Sequence, residues 1–225
     1  MTEKFTVSKE DYENAKLLLE QERINPLTLD EMFKAGIYCI LAQAERYDKQ
    51  IKIYRRLLKE GIISPVSVFE KNKELNGILK KSHYPNMKGE RIKNFAGWWI
   101  TADTPRAILK DALNGHNKGV ELRNGFAEVA PAMSYKSASL FMIKCGYEDV
   151  IPIDIWVMRF LKEKGHSVKV PDYLTIGGIT GKLYLQLEDI LRGMAKEADV
   201  SLAMFQGALW GKYSTWVVRK ERRLF

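Results

Sequence analysis

The sequence predicts an all-α protein. Apolar residues recur at three- and four-residue steps over most of its length, and helix-start signals punctuate it. No stretch alternates with period two for long enough to predict a strand. VSKEDYENAKLLLEQERI opens with a Ser-x-x-Asp capping pattern at Ser8 and Asp11. LTLDEMFKAGIYCILAQAERYDKQIKIYRRLLKEGI reads as two helices broken between Gln43 and Asp48. Pro65 opens one short helix through SVFEKNKELNGILKKS. SHYPNMKGERIKNFAGWWI starts as a loop at Tyr84-Pro85-Asn86 and then turns helical, and Thr104-Pro105 starts another helix. A short apolar helix and a turn, SLFMIKCGYEDV, separate Lys136 from Asp154. Ser167 to Lys182 reads as loop, with Gly177-Gly178 and Gly181 suggesting a mobile linker. LYLQLEDILRGMAKEA and SLAMFQGALWGKYSTW supply the last helices. There is no internal repeat or low-complexity tract.

Composition narrows the class of partner. A chain of 225 residues, 46% hydrophobic and 28% charged, can bury a sizeable core. The net charge of +8 favours a polyanion, either nucleic acid or an acidic membrane surface. Cys39 and Cys145 sit in apolar helical runs and are expected to be buried thiols; two cysteines cannot hold a four-cysteine cluster or structural zinc. His83, His116 and His166 show no ligand spacing, so no metal centre is expected from side chains. No apolar run approaches the ~20 residues of a membrane span. The charged, polar N-terminus shows no secretory signal, and a cytoplasmic, nucleoid-associated location is expected.

Chemistry concentrates at Lys136 and Asp154, eighteen positions apart in APAMSYKSA and VIPIDIWV. Two consecutive helix starts would bring a primary amine and a carboxylate together. Such a pair can do covalent chemistry on an aldehyde-level carbon such as the C1′ of a nucleotide. Taken singly, Lys136 also reads as a solvated helix-face lysine and Asp154 as an N-cap.

Residues 130–138, APAMSYKSA, resemble the Leu-Pro-Gly-Val-Gly-Arg-Lys-Thr-Ala hairpin of the helix–hairpin–helix (HhH-GPD) DNA glycosylases. IPIDIWV, 151–157, is similar to that superfamily's Val-Pro-Val-Asp-Thr-His-Val. Leu41-Ala42-Gln43-Ala44 resembles the helix end from which its members push a side chain into the duplex. The three motifs keep the superfamily's order, and the C-terminal LYLQLEDILRGMAKEADVSLAMFQGALW is most similar to archaeal 8-oxoguanine DNA glycosylases without an iron–sulfur cluster.

The resemblance implies a two-lobed architecture, with a helical barrel lobe over residues 29–148 and a second lobe from 1–28 plus 149–225. It implies a bifunctional DNA glycosylase and AP lyase acting as a monomer on double-stranded DNA with a damaged base, most simply 8-oxoguanine. Asp154 would stabilise positive charge at C1′, and neutral Lys136 would attack C1′ to form a Schiff base. Gln43 would fill the hole left by the extruded base, with Arg46 and Tyr47 beside it. The hairpin Pro131, Ala132, Met133 and Ser134 would hold a phosphate through backbone N–H groups. Trp210 would stack on the base, with core packing as its other reading, and Gln206 stands where archaeal relatives carry an acid. Lys88, Arg91 and the tail Arg219-Lys220-Arg222-Arg223 are further candidates for phosphate contact. No cofactor is expected, although the resemblance allows a monovalent cation at the hairpin carbonyls.

Several positions depart from the family pattern. Ala132 and Ser134 replace hairpin glycines, which predicts a reshaped or looser hairpin. Trp156 replaces a histidine, and the chain ends in Phe225 where relatives use a C-terminal lysine. The other reading is a non-catalytic helix–hairpin–helix protein that binds DNA or a partner through a degraded hairpin.

Overall fold

The computed structural model describes residues 7–116, 118–168, 179 and 181–213, and every regular element among them is helical. In order these are α1 (Lys9–Glu22), α2 (Leu29–Leu41), α3 (Tyr47–Lys59), α4 (Pro65–Glu70), α5 (Asn72–Leu79) and α6 (Pro85–Thr101). They continue with α7 (Thr104–Leu113), α8 (Gly119–Val129), α9 (Tyr135–Lys144), α10 (Ile155–Glu163), α11 (Gly181–Glu197) and α12 (Leu202–Tyr213). The Gly177-Gly178 linker and the basic tail to Phe225 lie outside the described residues.

Local chemistry sets most boundaries. Ser8 and Asp11 form the reciprocal capping box that starts α1. Thr28 caps α2, and Pro65, Pro85 and Pro105 stand in the first turns of their helices, where a missing N–H costs nothing. The stretch after Pro65, expected as one helix, is two. Lys71, at φ −107° and ψ 36°, leaves the helical region and turns the chain between α4 and α5.

Two hydrophobic clusters organise these helices. The larger holds Met32, Phe33, Ile37, Ile40 and Leu41 of α2 against Phe95 and Trp99 of α6, Phe126 of α8 and Phe141 of α9. Phe33 stacks on Phe95 at 5.7 Å, an approach permitted by Gly36, whose Cβ would lie 2.4 Å from the Phe95 ring. The second gathers Val157 and Phe160 of α10, Leu187 and Leu191 of α11, and Phe205 and Leu209 of α12. Each such fully buried side chain contributes about 1.5–3 kcal/mol. α1 lies along α12, with Gly207 against Ala15, and its C-terminal end is tied to α9 by Ile24 N–H donating to Lys144 O.

The clusters change over between Val150 and Ile151. α9 straddles that boundary: Phe141 and Met142 pack into the first cluster, whereas Tyr135 packs against the second. The residues singled out for chemistry therefore lie where the two cores meet. Cys39 and Cys145 are buried free thiols, and burial pushes Cys39 up to about 12. Among the described residues no helix is long and apolar enough to cross a membrane.

Candidate active site

The α8–α9 hairpin is tight. Ala130 N–H donates to Phe126 O and Met133 N–H donates to Ala130 O at 3.2 Å, closing the turn. Ala132 takes φ 66°, the left-handed conformation for which glycine is usually chosen. Ser134 is extended and caps α9, its Oγ accepting from Ser137 N–H. The expectation of a looser hairpin is thus corrected. The turn keeps a glycine-like backbone at Ala132 at a conformational cost, and at Ser134 the hydroxyl has become a cap. Met133 is anchored in the core, Pro131 and Ala132 are half-buried, and Ser134 is exposed.

Lys136 lies in the first turn of α9 and Asp154 is the N-cap of α10, where its Oδ1 accepts from Trp156 N–H at 2.9 Å and Val157 N–H at 3.0 Å. Desolvation raises the Asp154 carboxyl above its ordinary value; the Lys136 charge and the two amides pull it down without cancelling that effect. The amine therefore acts on the carboxyl through space, without a contact ion pair.

Gln43 sits in the turn after α2, where Ala44 has φ 49°. Its Nε2 donates to Ala132 O at 2.6 Å and to Ser137 Oγ at 3.1 Å, and its Oε1 accepts from Arg91. The wedge candidate and the hairpin are thus one hydrogen-bonded unit, and Arg91 backs it. Lys88 is not a phosphate contact. It is 1% exposed, and its Nζ donates to Leu41 O and to the buried Glu45, both at 3.1 Å. Desolvation alone would raise Glu45. The His83 amide and the Lys88 ammonium reverse that and hold it below the ordinary carboxylate value.

Arg46 is exposed at the N-terminal end of α3, makes no side-chain capping bond, and pairs with Asp48 at 3.3 Å. With Asp48, Lys49, Lys52 and His83 it lines an open depression that does not include Lys136 or Asp154. Tyr47 meets Trp210 of α12 edge to face at 5.5 Å, so the aromatics chosen for wedge and base stacking touch. Gln206, one turn before Trp210, lies on the same face of α12, and both are half-buried. The Arg159 guanidinium covers the ring of Trp156 at 4.6 Å. Among the described residues no group of three or more His, Cys, Asp or Glu could hold a metal ion.

Arg91, expected only as a phosphate contact, holds Gln43 instead, and sequence reasoning missed Ser137 beside it and the buried Arg123, Glu188 and Tyr184. Tyr184, Glu188 and Arg192 recur every four residues on α11, a polar stripe that the sequence already carries.

A hairpin so closed, feeding a lysine into the first turn of its second helix, defines a helix–hairpin–helix protein. The Ogg-HhH family, described as 8-oxoguanine DNA glycosylase, matches residues 16–200, and the chain belongs to that family. It is 28% identical over 186 residues to the 8-oxoguanine DNA glycosylase/AP lyase of Aquifex aeolicus, covering 77% of this chain and 74% of that protein. It is 26% identical over 205 residues to the one from Thermotoga maritima, covering 88% and 90%. In fold it matches the crystal structure of the Methanocaldococcus jannaschii 8-oxoguanine glycosylase/lyase in complex with a 15mer DNA containing 8-oxoguanine. The TM-score is 0.69 at 21% identity, over 93% of this chain and 98% of that one.

Proposed function

We propose that this protein is a bifunctional DNA glycosylase and AP lyase that removes 8-oxoguanine from double-stranded DNA. The observation that carries this reading is the placement of Lys136 in the first turn of α9 and of Asp154 at the N-cap of α10, where the two cores meet, in a chain of this family. As the C1′–N9 bond breaks, the base departs with the bonding electrons and takes up a proton, and positive charge builds at C1′. Ionised Asp154, held in a desolvated seat by two amides, opposes that charge. Lys136 Nζ gives up a proton, which the departing base takes, and its freed lone pair forms the new bond to C1′. Ring opening gives a Schiff base, loss of a C2′ proton expels the 3′ phosphate, and water then releases the lysine.

The recognition residues follow the same reading. The Tyr135 and Lys136 amides of the α9 first turn have no intrahelical acceptor, and with the Ala132 and Ser134 N–H groups of the Pro131–Ser134 hairpin they suit one phosphate. Gln43, Arg46 and Tyr47 take the gap left by the extruded base, and Trp210 with Gln206 receives that base. A monovalent cation at the hairpin would share Ala130 O and Ala132 O with donors already there, Met133 N–H and Gln43, so no step is assigned to it. The working unit is proposed to be a monomer of two lobes meeting near residue 150, a division supported by the two hydrophobic clusters.

A duplex with a single 8-oxoguanine tests the reading. Strand scission without alkali is expected. Scission only after alkali would make the enzyme monofunctional, and none under either condition would leave a DNA-binding module.

A further inference from the structure

We infer that Tyr184, together with Ser139, Arg123 and Glu188, is a positioning brace that sets the Asp154 carboxyl against the Lys136 amine; the inference rests on the assignment of those two as the reacting pair. α11 carries Tyr184, Glu188 and Arg192 four residues apart on one face, and the first two are fully buried. That face grips the segment leading to Asp154 at alternate residues. Arg192 donates to Asp149 O at 2.9 Å, Tyr184 OH donates to Ile151 O, and Ile153 N–H donates to Tyr184 OH at 3.2 Å. Ile153 immediately precedes Asp154.

The same hydroxyl reaches the helix that carries Lys136. Ser139 Oγ lies 3.1 Å from Tyr184 OH, and Arg123 Nη1 donates to Ser139 Oγ at 2.8 Å and to Glu188 Oε1 at 3.0 Å. Counting protons fixes the direction of every bond. Ile151 O can only accept, so it takes the one Tyr184 proton; Ile153 N–H can only donate. Ser139 must then donate to Tyr184, and its own oxygen accepts from Arg123. The Arg123 guanidinium also lies over the rings of Tyr135 and Tyr184, at 5.3 and 5.4 Å. One phenol oxygen thus joins α9, three residues after Lys136, to the residue before Asp154.

Stability alone does not account for this arrangement, because a buried ion pair generally stabilises a fold no more than apolar side chains of the same volume. What the network adds is a fixed relation between two helix starts. Misplacing a reacting group by 1 Å is enough to lose about two orders of magnitude in rate.

The test is a double-mutant cycle in single-turnover excision of 8-oxoguanine, comparing the wild type, Tyr184→Phe, Asp154→Asn and the double variant. Tyr184→Phe is expected to slow excision about 10- to 100-fold while duplex affinity changes less than about 3-fold. On the Asp154→Asn background the same change should cost less than about 3-fold, because the group it positions is gone. An equal factor in both backgrounds, or a wild-type rate for Tyr184→Phe, overturns the brace. Wild-type excision by Asp154→Asn instead sinks the choice of carboxylate. In that case the brace is judged by amide exchange at Ile153, expected to be about 10-fold faster in Tyr184→Phe and overturned if unchanged. Should Tyr184→Phe not fold, Ser139→Ala breaks the link to α9 and enters the same cycle.

Discussion

The side-chain amide of Gln43 donates to the carbonyl oxygen of Ala132 at 2.6 Å, joining the turn after α2 to a hairpin 89 residues further along the chain. Ser137 and Arg91 complete the grip, so the wedge candidate is held before any DNA arrives. Gln43→Ala should cost about 1–2 kcal/mol of stability, since several hydrogen bonds of about 1 kcal/mol each are lost. It should also weaken binding to a lesion duplex about 10-fold, for want of a side chain to fill the vacated stack. Denaturation curves and duplex titrations check the two effects separately.

Ala132 bears a left-handed backbone without being glycine. Relief of that strain exceeds the extra entropy that glycine loses on folding, so Ala132→Gly should stabilise the protein by about 0.5–1 kcal/mol. A higher urea midpoint at unchanged slope is the expected measurement.

Asp154 couples the reaction to stability. Its carboxyl is raised above the ordinary 3.8 by desolvation, against the pull of Lys136 and two amides. A carboxyl raised in the folded state favours folding while protonated. That contribution is complete below the unfolded value and is lost as pH rises through the folded one. Asp154→Asn keeps an oxygen for the Trp156 and Val157 amides. It should therefore be more stable than wild type at neutral pH, with the gain shrinking toward about pH 3. Excision should fall about 10²–10³-fold. Unfolding curves across pH and single-turnover rates report these.

The Lys88–Glu45 pair closes the base of the Gln43 turn with both side chains out of water. Lys88→Met removes the nearer cation from the buried Glu45 carboxylate, leaving Lys49 at 3.8 Å and the His83 amide, and should cost about 2–3 kcal/mol. Adding Glu45→Leu should recover much of that loss, because the poorly compensated charge is then gone. Chemical denaturation of the two variants is the check.

Helix starts were mostly legible because they are local: Ser8 with Asp11, the prolines at 65 and 105, and the break after Gln43 each act within one turn of chain, whereas Pro85 and Asn86, read as loop, already belong to α6. The division at Lys71 was not, because no proline or glycine marks it. Lys88 read as surface charge because its partner Glu45 lies 43 residues away, and Arg123 finds Glu188 at a separation of 65. Hairpin glycines read as required because only the backbone reveals that Ala132 accepts their conformation. Lys136 and Asp154 could be singled out because each stands at a helix start in a recognisable motif. Their mutual approach is a property of packing between the two clusters.

Borohydride trapping on an 8-oxoguanine duplex tests that approach most directly. The wild-type chain should give a covalent protein–DNA adduct, and Lys136→Ala should bind the duplex yet give none. Undiminished adduct in Lys136→Ala would mean that another amine forms the bond and that the site has been misassigned.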